Sequence, residues 1–329
     1  MKEINITKND AGRRLDKFLR KYLQNASLSQ IYKIIRKDVK IDGKRRDEAY
    51  MLQEGEVLCL YLSDEDFERF TARSLKGSGE KHAKKQFKII YEDENILICD
   101  KPFGLLTHGD ATEKKHHLAN QVKDYLIENG DYSPRDEKVF APAPANRIDR
   151  NTTGLVLFGK NAASLKALNE MIRENMVRKF YLTIVHGTIN SASKLVGKLS
   201  KDSVINKVSI SDDDGVDIET IVNPVQKLDR DTTLVEVELV TGRSHQIRAH
   251  LANIGHPIIG DSKYATKSAR SLNKYFAEEH GLSTQLLHAH KIEFADSADG
   301  LDYLKDKAFQ ADLPKDFIKI LKDLGGRYD

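Results

Sequence analysis

Apolar positions near the start of the chain recur with helical spacing. Leu15, Phe18, Leu19, Tyr22 and Leu23 fall at i, i+3, i+4, i+7 and i+8, one stripe of a helix whose other faces carry Arg14, Lys17, Arg20 and Lys21. A second helix is predicted with Ser27 or Ser29 as N-cap, burying Ile31, Ile34 and Ile35 and leaving Lys33, Arg36 and Lys37 outside. Val39-Lys40-Ile41, the Asp42-Gly43 turn and the run Val57 to Leu62 then read as strand, turn and strand. From about Asp64 to Gln86 the periodicity lapses, and Ser74-Leu75-Lys76-Gly77-Ser78-Gly79-Glu80-Lys81 has the composition of a flexible linker. We therefore expect a first domain over residues 1–65, a linker over 66–86 and a second domain over 87–329.

Beyond the linker the period shortens. Two β-branched runs, Ile89-Ile90-Tyr91 and Ile96-Leu97-Ile98-Cys99, flank an acidic turn and predict a hairpin that Pro102 and Gly104 terminate. Leu118, Val122, Tyr125 and Leu126 mark an amphipathic helix with Gly130 as its C-terminal stop. Leu155 to Phe158 is a buried strand, and Leu165, Leu168, Met171 and Ile172 make the helix after it. Lys179 to Val185 and the alternating Thr233 to Val240 are further strands. Strands outnumber helices, so the expected class is α+β, with a mixed, mainly antiparallel sheet.

Charge changes the picture at one end. Residues 1–46 hold fourteen Lys or Arg against five Asp or Glu, a local charge of +9 inside a chain whose net is only +3. Such segregation fits a polyanion, because clustered cations neutralise phosphates and release counterions. No apolar run approaches the roughly 18 residues of a membrane helix, and Met1-Lys2-Glu3-Ile4-Asn5 lacks a secretory apolar core. Cys59 and Cys99 are the only cysteines, both inside apolar runs, which suits buried thiols in a reducing compartment. Cytoplasm is the expected location.

Two dense stretches carry candidate chemistry. Asn146-Arg147-Ile148-Asp149-Arg150-Asn151-Thr152-Thr153-Gly154 holds one carboxylate between two arginines and runs straight into Leu155-Val156-Leu157-Phe158. Thr241-Gly242-Arg243-Ser244-His245-Gln246-Ile247-Arg248-Ala249-His250-Leu251 reads as a helix with Ser244 as N-cap, Gly255 beyond its end, and Ile247, Leu251 and Ile254 as its buried stripe. Arg248 lies beside that stripe. His245 and His250 are five positions apart and do not share a helix face, so a zinc site is not expected. Walker-type phosphate loops, His-Glu-x-x-His, Cys-x-x-Cys and Gly-x-Ser-x-Gly are all missing from the sequence. A carboxylate, arginines and aromatics remain, in a chain with a polyanion-binding end.

Taken in order, these pieces resemble a known family. Arg147-Ile148-Asp149-Arg150-x-Thr152-Thr153-Gly154, Arg178-Lys179-Phe180-Tyr181, Thr241 to Leu251, Gly255-His256-Pro257-Ile258-x-Gly260-Asp261 and Leu287-His288-Ala289 are similar to the successive motifs of the RluA family of RNA pseudouridine synthases, over about residues 87–325. Residues 12–62 resemble the small RNA-binding domain first seen in ribosomal small-subunit protein four, and the combination resembles the family's large-subunit ribosomal RNA branch. The resemblance implies isomerisation of uridine to pseudouridine in ribosomal RNA, most simply 23S, after the target base is flipped out, without metal or cofactor, by a monomer not bound to membrane. It implies Asp149 as nucleophile, Arg248 as its partner, Tyr181 stacking on the base and aiding removal of the C5 proton, and Leu287 as an apolar wall. Arg147, Arg150, Lys179, Arg243, His245 and Gln246 would meet RNA around the site, as would Arg14, Lys17, Arg36 and Lys37 in the first domain. Surface ion pairing is the alternative for the arginines. Asn146 and Asn151 depart from the His and Asp that many members carry. A non-catalytic RNA-binding factor and a base-removing glycosidase remain as other readings.

Overall fold

A computed structural model describes residues 1–71, 85–134, 137, 139–202, 207–211, 213 and 215–328. By contacts the chain forms two units, one of residues 1–85, 121–143 and 159–166, the other of 86–120, 144–158 and 167–329.

The first unit opens with β1 (Lys2–Asn5), α1 (Leu15–Tyr22), α2 (Leu28–Asp38), β2 (Val39–Ile41), β3 (Val57–Leu60) and α3 (Asp64–Thr71). The strands form an antiparallel sheet in the order β1-β3-β2. Leu15, Phe18, Leu19, Leu23, Ile31, Ile34 and Ile35 are buried in one cluster with Ile41, Leu58 and Leu60, as the spacing predicts. Each such side chain contributes on the order of 1.5–3 kcal/mol through burial. Ser27 is the N-cap of α2: its Oγ accepts the Gln30 N–H at 3.4 Å while Gln30 Oε1 accepts the Ser27 N–H at 2.7 Å. That reciprocal pair is why the helix begins there. Arg14, Lys17, Arg20, Arg36 and Lys37 lie exposed on the two helices. Residues 66–71, expected in a linker, continue α3 instead. Asp64, Glu65 and Asp66 favour its N-terminal end electrostatically, and Phe70 is buried. Residues 72–84 of the expected linker lie outside the described residues. Cys59 is half-buried and Cys99 buried, and neither is in a disulfide.

The rest of the chain runs through β4 (Lys88–Glu92), β5 (Ile96–Lys101), α4 (Leu118–Glu128), β6 (Ala143–Pro144), β7 (Thr153–Gly159), α5 (Ala162–Arg173), β8 (Val177–His186), β9 (Ser193–Asp202), β10 (Lys207–Ser211), β11 (Val216–Leu228) and β12 (Thr232–Leu239). It ends with α6 (Gln246–Asn253), α7 (Ala269–His280), β13 (Leu287–Phe294), β14 (Ala308–Gln310) and α8 (Lys315–Asp323). Among the described residues one 11-stranded sheet has the path β10-β9-β11-β12-β8-β13-β7-β5-β4, with β14 on β13 and β6 on β7. The β13–β7 pair is parallel, whereas β13–β8, β12–β8, β11–β12 and β4–β5 are antiparallel, so the α+β class with a mainly antiparallel sheet holds.

The sheet matters here for one row across its middle. Gly154 on β7 and Tyr181 on β8 both pair with Ala289 of β13 between them. Gly154 has φ +109, and a Cβ there would collide with the Ala289 backbone. Glycine is the residue that permits this approach. It thereby joins the end of the Asp149 stretch to the strand carrying Tyr181.

Candidate active site

Asp149 sits in the turn immediately before β7, half-buried, with its carbonyl accepting the Thr152 N–H at 3.1 Å. The turn is fixed from below by Lys101, at the end of β5. The Lys101 Nζ is buried and donates to the carbonyls of Leu105 at 2.7 Å, Arg150 at 2.9 Å and Pro102 at 3.1 Å. Burial lowers its pKa to about 7, against an opposing pull from the nearby Asp149 charge. Thr107 Oγ1 donates to the Ile148 carbonyl at 2.9 Å, and Asn146 accepts the Leu157 N–H at 2.8 Å, so the flanks are tied as well. Asn146 therefore serves the loop's geometry.

Arg248 faces Asp149 from α6, its Nη1 3.4 Å from Oδ2. Its stronger partner is Asp261, which accepts Nε at 2.7 Å and Nη2 at 2.9 Å in a bidentate pair. Asp261 is held in turn by the N–H groups of Lys263 at 3.0 Å and Tyr264 at 3.2 Å. Burial opposes the Arg248 charge, but the bonds and attraction of Asp261, with a smaller pull from Asp149, raise its pKa overall. The guanidinium also lies 5.1 Å from the Tyr264 ring. Arg248 is 7% exposed, deeper than its expected place beside a helical stripe.

The helix start also differs from expectation. His245, not Ser244, is the N-cap, in the left-handed region with φ 57. This strained turn brings His245 Nε2 to 3.9 Å from Asp149 Oδ2 and Nδ1 to 3.1 Å from the Tyr264 hydroxyl. Burial lowers the His245 pKa while Asp149 pulls it up. Ile254, expected in the buried stripe, is 38% exposed, because the helix ends at Asn253 and the chain turns out through Gly255.

Tyr181 is 4% exposed, and burial first, then the Asp149 charge, raises its pKa. Its phenol stays protonated. Asp149, Tyr181, Arg248, Thr152 and Leu287 line a small cavity of about 40 Å³. Asp149 and Tyr181 also line a wider groove of about 740 Å³, where Arg147, Arg150, Arg173, Lys179 and Arg243 face Asp149 and Asp110. The groove is strongly cationic. Among the described residues no cluster of three or more His, Cys, Asp or Glu is placed to hold a metal ion, and no helix is long and apolar enough to cross a membrane.

The model of the RNA pseudouridylate synthase family matches residues 95–253, and that of the S4 domain matches residues 13–58. A ribosomal large subunit pseudouridine synthase C of Vibrio vulnificus is 34% identical over 90% of this chain and 89% of its own. The chain belongs to the RNA pseudouridylate synthase family. The like-named protein of Haemophilus influenzae is 31% identical over 98% of this chain and 95% of its own. An uncharacterized RNA pseudouridine synthase of Mycoplasma capricolum is 30% identical over 93% and 96%. Among solved structures, human RNA pseudouridylate synthase domain containing 4 matches with a TM-score of 0.55 at 21% identity, covering 72% of this chain and 92% of that one, a likeness of fold.

In this pseudouridine synthase the expected site residues fall into three groups. Asp149, Tyr181, Arg248 and Leu287 meet at the small cavity, joined by Arg147, Arg243, His245 and Gln246, while Arg150 and Lys179 line the groove. Gln246 is turned inward: its amide bonds Glu219, Thr220, Thr241 and the Arg243 N–H, so it braces the helix start. Arg14, Lys17, Arg36 and Lys37 belong to the other unit, where Arg14 pairs with Asp16 at 3.1 Å. Sequence reading missed Lys101, Tyr264 and Arg173, and it gave no role to Thr152 or Asp261, although both stand in the motifs it singled out. A buried lysine has no local signature, but an acidic residue just beyond the Arg248 helix was a usable signal for Asp261.

Proposed function

We propose that this isomerase converts specific uridines of large-subunit ribosomal RNA to pseudouridine, with Asp149 as nucleophile and the target base turned out of its stack. The N1–C1′ bond breaks, a C5–C1′ bond forms, C5 loses its proton and N1 takes one up, so the product has the mass of the substrate. One observation carries the assignment of Asp149. Among the described residues it is the one carboxylate lining the small cavity, and an arginine whose main bonds go to a different carboxylate holds it from one side. A single half-buried carboxylate at the cavity suits a covalent adduct that is resolved within the site, whereas hydrolysis of a glycosidic bond ordinarily uses two.

The surrounding groups have complementary tasks. Arg248, aligned by Asp261, pairs with the Asp149 carboxylate and aims it. Tyr181 and Leu287 give the extruded base an apolar and aromatic bed, offsetting an unstacking cost of a few kcal/mol. The raised pKa of Tyr181 suits its phenol to stacking more than to proton abstraction in the resting site. Arg147, Arg150, Lys179 and Arg243 contact the RNA backbone around the groove. The basic first unit, with Arg14, Lys17, Arg36 and Lys37, directs the enzyme to its RNA. The named activity of the Vibrio and Haemophilus relatives supports ribosomal RNA as that substrate.

The test is single-turnover release of tritium from uracil C5 in a large-subunit ribosomal transcript, with mass analysis of the product nucleosides. Wild type should release tritium and yield a nucleoside isomeric with uridine. Asp149→Asn should be slowed by about 10⁴-fold or more, the scale on which removed nucleophiles act. Undiminished release by that variant would remove Asp149 from its role, and free uracil would mark hydrolysis instead.

A further inference from the structure

Thr152 stands three residues beyond Asp149, anchored to it by the backbone bond of their shared turn. It is 1% exposed and lines the same small cavity as Asp149, Tyr181, Arg248 and Leu287. Its hydroxyl is buried without a hydrogen-bond partner. The neighbouring threonines are different: Thr153 Oγ1 is 2.8 Å from His288 Nδ1, and Thr107 Oγ1 bonds the Ile148 carbonyl. An unpaired buried hydroxyl gives up its bonds to water with no return, and native proteins satisfy nearly all such groups. A polar group left in that condition beside a nucleophile points to a ligand that completes it.

Building on the uridine isomerisation proposed above, we propose that Thr152 Oγ1 donates a hydrogen bond to a carbonyl of the extruded uracil. The chemistry of the reaction makes a hydroxyl apt there. To present C5 where N1 had been, the detached ring turns half a revolution about the axis through N3 and C6. That turn exchanges N1 with C5 and the C2 carbonyl with the C4 carbonyl. A donor beside either carbonyl therefore meets a carbonyl again once the ring has turned. The bond holds substrate and product alike, and steadies the free ring against loss between the two steps. Thr152 is thus a substrate-contacting residue beside the nucleophile, and its unpaired hydroxyl is completed when the base enters.

Thr152→Val keeps the shape and removes the hydroxyl, whereas Thr152→Ser keeps the hydroxyl. We expect the Val protein to melt no lower than wild type, since it loses an unsatisfied polar group. Its saturating single-turnover rate of tritium release should fall about tenfold, the equivalent of one neutral hydrogen bond. RNA affinity, set mainly by phosphate contacts, should stay within about twofold. The Ser protein should retain a rate within about threefold of wild type. A Val variant at the wild-type rate would overturn the proposal, as would Val and Ser variants equally slowed with lowered melting temperatures, the mark of a packing role. A wild type that releases no tritium would refute the isomerisation reading itself, an outcome distinct from either.

Discussion

Asp261→Asn isolates the buried carboxylate behind Arg248 without changing side-chain volume. Arg248 and Asp261 are 7% and 1% exposed, and the fork between them is made of bonds at 2.7 and 2.9 Å. Removing one member of a buried ion pair costs about 3–5 kcal/mol because the other charge is stranded. Asparagine keeps one acceptor oxygen for the fork and the Lys263 and Tyr264 N–H groups, so the loss should lie at the lower end, about 3 kcal/mol. At about 2 °C per kcal/mol for a chain of this size, the melting temperature should fall by about 6 °C. The consequence for the site is larger than for the fold. Released from Asp261, the guanidinium has Asp149 as its remaining carboxylate, and closing the present 3.4 Å separation would turn the proposed nucleophile into a tight ion pair. Displacements on the scale of 1 Å at a reacting group cost about 10²-fold, which is the expected fall in single-turnover tritium release. Thermal melting and that rate together decide the matter. A variant that melts within about 1 °C of wild type and reacts within about twofold would refute both the energetic ranking of the pair and its part in aiming Asp149.

Two further outcomes follow from the row across the sheet. Gly154→Ala adds a Cβ into the Ala289 backbone at a φ of +109, so it should destabilise the protein by at least about 3 kcal/mol, measured by urea unfolding, and lower activity through misplacement of the Asp149 turn. His288, buried between Thr153 and the Ala311 carbonyl, has its pKa lowered by burial to about 4 from 6.5. Its unfolded form binds a proton first, so stability should fall as pH drops from about 6.5 to 4, by about 3 kcal/mol in all, and His288→Gln should flatten that part of the pH–stability curve.

What could be read from the sequence divides by the range of the interactions. Leu15 to Leu23 and the Ser27 cap are local patterns, and they folded as read because each element's burial is decided by its own spacing. The Asp149 stretch was conspicuous for the same reason, three charges crowded where packing cannot use them. The helix over residues 64–71 was passed over because Phe67 and Phe70 lie in an acidic run that mimics a linker. Strand β9 was invisible because Lys, Ser and Gly interrupt the apolar positions of Ser193–Asp202, and β10 because the alternation of Val208 and Ile210 in Lys207–Ser211 spans only five residues. Lys101 is the hardest case: nothing near it in sequence says that three carbonyls will converge on its ammonium, since Arg150 is 49 residues away. The His245 cap depended on Tyr264 and Asp149, contacts that local spacing does not contain.

The place of β13 in the sheet has a consequence for how the protein is made. It lies between β7 and β8, both translated before it, and the Thr153–His288 contact spans 135 residues. During synthesis the facing edges of those two strands emerge with no partner in each other, and at about 5–20 residues per second they wait several seconds for the strand that fills the gap. Until it inserts, Ala289 is absent from the row that joins Gly154 to Tyr181, and Leu287 is absent from the cavity wall. The nascent chain therefore remains catalytically inert while carrying two open strand edges, the state in which β-rich chains are most prone to pair with one another.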